Sequence, residues 1–247
     1  MKKQTICKDY CLVRSAFFGL LIVGLSACGG NGGDDDTPAP PATQTFELSV
    51  VNLTVAQPFS PIAAIAHLSG YSVLTVGAPA TAGLEVLAEE GDNSDLIAEA
   101  DGSEFVLATA TADAPLAPGA TETLTLTLEE NDLPGLMLSG TTMLVNTNDA
   151  ITAISGISIE GMEVGDTRSL NTISYDSGTE ANTELTGTIP GPADGGEGFN
   201  AARDDIADEV RMHSGVLTAD DGLADSRLTE VHRWDNPVAR FTVTRTE

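Results

Sequence analysis

The chain has 247 residues, with 11 Lys or Arg against 37 Asp or Glu, a formal charge of −26. That balance excludes most nucleic-acid binding, because affinity for phosphate backbones comes from basic side chains. At 41% hydrophobic and 19% charged residues this is no disordered polyelectrolyte, and few aromatics beside abundant Thr, Val, Ala and Gly favour β-strands over a helical bundle.

Lys2, Lys3, Lys8 and Arg14 precede an apolar run from Ala16 to Leu25. A basic region before so short an apolar stretch is the pattern of a secretory signal peptide, since a membrane span needs about 20 apolar residues. The run ends in Leu25-Ser26-Ala27-Cys28, which looks like a bacterial lipobox. Residues 1–27 therefore read as a signal peptide and Cys28 as a lipidation site. Acyl chains there, at about 0.8 kcal/mol per buried CH₂, would anchor the chain to a membrane. The expected location is the cell envelope, lipid-anchored at the outer membrane, with secretion as the alternative. Cleavage removes four bases (Lys2, Lys3, Lys8, Arg14) and one acid (Asp9), leaving seven basic and 36 acidic residues, a formal charge of −29. Cys7 and Cys11 leave as well, so no thiol remains for disulfides, zinc or nucleophilic catalysis.

Residues 28–45 are Gly- and Asp-rich, then Pro-rich, with no apolar periodicity, and predict a disordered linker. From Phe46 the pattern changes to apolar alternation, which predicts a first strand running on to Val55, stopped by Pro58 and Pro61. Leu84–Glu90 and Asp95–Ala100 predict short helical turns. Strands follow at Glu104–Thr111, Thr121–Leu128, Thr141–Asn146, Ile151–Ile159, Arg168–Ser174 and Phe241–Arg245, with one amphipathic helix at Ala201–His213. Short strands separated by Gly, Pro, Asn and Asp clusters predict an all-β fold, an antiparallel β-sandwich with a few short helices.

Catalytic templates are missing. There is no G-x-S-x-G, no H-E-x-x-H, no phosphate-binding loop and no dinucleotide fingerprint. His67, His213 and His232 are scattered and read as hydrogen-bonded loop or core residues. Oxygen chemistry remains. Two apolar strands end abruptly in oxygen-bearing side chains, at Asn146-Thr147-Asn148-Asp149 and at Tyr175-Asp176-Ser177-Gly178-Thr179-Glu180. Calcium takes six to eight oxygens from such groups, although Asn-Asp and Asp-Ser-Gly are also ordinary turn chemistry.

Several segments occur together in order: Val51-Asn52-Leu53-Thr54, Pro58-Phe59-Ser60-Pro61, Gly83–Asp92, Met143–Asp149, Tyr175–Glu184, Ile189-Pro190-Gly191-Pro192, His213-Ser214-Gly215 and Trp234–Arg240. From about Phe46 to Glu247 the chain resembles the spondin N-terminal (F-spondin/mindin-type) domain in a bacterial form. The resemblance implies a C2-like sandwich, residues 46–247, that binds one Ca2+ at one end and acts in adhesion or recognition without catalysis. It places one metal ligand on Asp149. It places a second on Asp176, in an Asp-Ala-Gly-Thr-acidic motif whose Ala is Ser177 here. A third, a Glu on the strand preceding Met143, falls on neither Glu122 nor Glu129 unambiguously, and both are candidates. Glu89 and Glu90, in the most family-like helical turn, read as a solvated face. Trp234 reads as a packing anchor.

Three functions follow. The first is an envelope lipoprotein with a calcium-binding adhesion or recognition module for an extracellular or envelope ligand, protein or glycan. The second is an envelope-polymer hydrolase using paired carboxylates such as Glu89 and Glu180. The third is a structural acidic envelope protein whose charge keeps it soluble. The six arginines between Arg203 and Arg245 make the C-terminal portion the least repulsive face for an acidic partner.

Overall fold

A computed structural model of the chain describes residues 43–129, 133–202 and 207–247. The expected signal peptide, Cys28 and most of the linker lie outside them. Among the described residues no helix is long and apolar enough to cross a membrane. By contacts the chain divides into two units, and the second, Pro40–Glu247, holds all the described structure.

The fold is an all-β sandwich. Among the described residues ten strands form two antiparallel sheets: β1 (Gln44–Asn52), β2 (Ala63–His67), β3 (Val106–Thr111), β4 (Thr121–Leu128), β5 (Met137–Met143), β6 (Ala150–Ser158), β7 (Thr167–Thr172), β8 (Ser174–Asp176), β9 (Arg211–Met212) and β10 (Ala239–Arg245). One sheet runs β4-β1-β10-β7 and the other β3-β2-β5-β6-β8-β9. Two short helices, α1 (Ala82–Glu90) and α2 (Ser94–Asp101), complete the elements that matter here.

Period-two patterning explains the first sheet. Phe46, Leu48 and Val50 of β1, Leu124, Leu126 and Leu128 of β4, and Phe241 and Val243 of β10 are all buried. They pack against Ala64 and Ala66 of β2, Leu138 of β5 and Ile154 of β6 to form the main core. The sheets approach closely at Gly140 of β5. A Cβ there would lie 2.9 Å from Leu48 Cδ2 and 3.2 Å from Phe241 Cε1.

The six-stranded sheet is covered on its other face as well. Ala63 and Ile65 of β2 and Ile151 and Ala153 of β6 pack against Leu84, Leu87 and Leu96 of the helices. Strand β2 is therefore buried on both faces and reads Ala-Ala-Ile-Ala-His, with no polar alternation. Helix α1 starts at Thr81, whose hydroxyl accepts the Leu84 N–H, and stops at Gly91 in the left-handed region at φ 79°.

The first strand stops at Asn52, short of Val55, and the strand expected at Thr141–Asn146 is Met137–Met143; two further expectations need correction. Within residues 201–213 the described part is not helical, because Arg211–Met212 pair as β9 with Tyr175 and Asp176; residues 203–206 lie outside the described set. Glu89 is no solvated residue. It is fully buried, and its Oε2 accepts the Asn200 N–H at 3.2 Å, whereas Glu90 is exposed. The helix face that meets the sheet extends through its last turn.

Candidate metal centre

Antiparallel register builds the site. Ala150, the first residue of β6, pairs with Asp176, the last residue of β8, so Asp149 and Asp176 are carried to the same rim of the sheet. Ligand atoms of Asp149, Asp176 and His213 lie within 4.8 Å of one another, and all three residues are buried.

The turn leading into β6 is held from all sides. Asn146 donates to Ala56 O at 2.9 Å and accepts the Ala193 N–H at 3.0 Å. Thr147 Oγ1 donates to Leu144 O at 2.6 Å and accepts the Ala150 N–H at 3.0 Å. Asn148 Nδ2 donates to Glu180 Oε1 at 2.7 Å, and its Oδ1 accepts the Glu184 N–H at 3.1 Å. These short polar side chains thus supply partners to backbone groups that the enclosed loops would otherwise strand.

The second loop folds over Asp149. Its Oδ2 accepts Ser177 Oγ–H at 3.1 Å and the N–H groups of Thr179 and Glu180 at 2.9 and 3.2 Å. Gly178 makes this possible: at φ 75° a Cβ would sit 2.4 Å from Glu209 O. Asp149 Oδ1, by contrast, is buried with no hydrogen-bond partner. Its carboxyl is pushed up to about 6, chiefly by burial and next by the Asp176 charge, with the three hydrogen bonds opposing.

Asp176 is differently served. Oδ1 accepts only the Gly178 N–H at 3.0 Å. Oδ2 accepts Asn182 Nδ2 at 2.7 Å and Arg211 Nε and Nη2 at 3.2 and 3.1 Å.

His213 lies against Trp234, ring centroids 5.4 Å apart, and Trp234 Nε1 donates to Ser174 Oγ at 2.9 Å. The indole also packs against the main core, as an anchor should. Burial pushes the His213 imidazole down to about 4, with Arg211 adding to the shift and Asp176 opposing it. Its Nδ1 accepts the Gly215 N–H at 2.9 Å, so the neutral ring carries its proton on Nε2, which donates to Asn182 Oδ1 at 3.2 Å. Glu184 is buried at φ 46°. Burial raises its carboxyl to about 7, and Asp149 adds to the shift while the Leu217 N–H opposes it.

Glu122 and Glu129 do not join this group. Both belong to β4 and its exit, at the edge of the four-stranded sheet. Strand β4 packs toward β2 and β3, at the other side of the sandwich from β6 and β8. Glu122 is half-buried opposite Val50, and Glu129 is exposed. Sequence reasoning missed His213, Arg211 and Glu184 as members of the cluster. His213 had a signal only as part of a family-like segment, with no role attached.

No protein-family model matches the chain, and no curated protein matches it.

Proposed function

We propose that residues 46–247 form a spondin-like recognition module stabilised by calcium, carried in the cell envelope on a lipidated Cys28, and without catalytic activity. The observation that carries this reading is Asp149 Oδ1, a fully buried carboxylate oxygen with no partner, beside a second buried carboxylate. A lone buried charge is costly, and a bound cation removes that cost. Asp149 and Asp176 would hold the ion, with the Asn182 amide oxygen close by Asp176 and His213. The ion supplies positive charge that fixes two loops against the end of β6.

The donor set favours a hard cation over zinc. For His213 to ligate through Nε2, its proton would have to move to Nδ1, where it would face the Gly215 N–H. Ligation through Nδ1 would displace that same bond. Full enclosure of Asp149 speaks for a structural ion and against a substrate reaching it. The hydrolase alternative draws no support from its pair, since Glu89 and Glu180 are both buried and engaged in hydrogen bonds.

Melting of the full chain in chelator, 1 mM calcium, 1 mM zinc and equivalent sodium tests this. Calcium at a hundred times its Kd should add about 2.7 kcal/mol, with sodium doing little. Indifference to calcium overturns the reading. Stabilisation by zinc that disappears in His213→Gln assigns the site to a transition metal instead.

A further inference from the structure

The cluster already contains a cation. Strand β9 pairs Arg211 directly across from Asp176, and the guanidinium places two N–H groups on Asp176 Oδ2. With the Asn182 amide, three donors crowd that one oxygen, while Asp149 Oδ1 has none. Positive charge is thus spent on one of the two carboxylates and withheld from the other.

We propose that Arg211 is a built-in competitor of the divalent ion: it holds Asp176 while the site lacks an ion, and it lowers the affinity for one. This rests on Asp149 and Asp176 being the cation site. A guanidinium stays charged at every pH where the protein folds, so the competition cannot be titrated away. Two outcomes of ion entry give the same sign. If Arg211 stays, a single and a double positive charge share Asp176. If it leaves, its paired hydrogen bond to Asp176 is lost. Departure is sterically open, because the Arg211 side chain is 43% exposed whereas that of Asp176 is 3% exposed. A clamp that merely oriented Asp176 for the ion would have the reverse effect, since its removal would weaken binding.

Calorimetric titration of calcium into the full chain separates the two. Arg211→Gln and Arg211→Met should each tighten the calcium Kd by about tenfold, while Arg211→Lys stays within threefold of wild type. In chelator both neutral variants should melt below wild type, and a variant that folds only on adding calcium supports the proposal equally. Unchanged or weaker calcium binding by a folded neutral variant overturns it. Absence of calcium heat from the wild type and from every variant defeats the site assignment itself, and the competition with it.

Discussion

Replacing Asp149 by Asn should change sign with calcium. The substitution removes a charge but keeps an oxygen that can accept from Ser177, Thr179 and Glu180. Folding raises the Asp149 carboxyl from 3.8 to about 6, so above pH 7 the folded protein carries a burden of about 3 kcal/mol relative to the unfolded chain. Asparagine avoids it but puts an amide N–H₂ where Oδ1 had no partner, at a cost of about 1–3 kcal/mol. The net gain in chelator at pH 8 is about 0–2 kcal/mol, or up to about 8 °C for a domain of this size. In saturating calcium the order reverses, because the wild type gains the binding free energy and the variant has lost a charged ligand. Scanning calorimetry of both proteins in the two buffers reads the crossing directly. If Asp149→Asn is less stable than wild type in chelator at pH 8, the charge is already compensated and the reasoning fails.

The pH profile carries two further signs. Asp149 and Glu184 have raised folded values, about 6 and about 7, so their stability is present at low pH and lost as pH rises from about 4 to about 7. His213 is lowered to about 4, so its contribution is present above 6.5 and lost as pH falls toward 4. In chelator, His213→Gln should therefore flatten the acid limb of a urea-unfolding profile, and an unchanged acid limb would contradict the burial of a neutral imidazole. Away from the site, Gly140→Val should cost about 1–3 kcal/mol by pushing against Leu48 and Phe241. Equal urea midpoints for variant and wild type would show that the sheets can separate there without penalty.

Strands with one face in water were legible in the sequence. Thr121–Leu128 alternates threonine with leucine along an edge strand, and the structure gives β4 those bounds. Strand β2 was not legible, because burial on both faces erased the alternation that marks a strand. Glu89 misled for a related reason: a charge run normally faces water, and only tertiary packing places this one under a loop. At the site, the two oxygen-rich stretches holding Asp149 and Asp176 could be read because each follows an apolar run, while the choice of those two residues within them came from the resemblance. That β6 and β8 place them side by side is a fact of register, visible only in the pairing of Ala150 with Asp176. Arg211 and His213 enter from a two-residue strand too short to leave any periodic trace.

The course of β1 has a practical result. Its first residues lie beside the chain's last, with the Thr45 N–H donating to Glu247 O at 3.0 Å. Seven residues on from Thr45, at about 3.3 Å each, it reaches Asn52, whose amide meets Gln57 O, and Gln57 in turn meets Asn146 in the turn before Asp149. Thr45 and Glu247 therefore share one pole, and the turn before Asp149 lies at the far end of β1, about 23 Å along the strand. A probe placed beside Thr45 or Glu247 would therefore sit at the end of β1 away from the turn before Asp149.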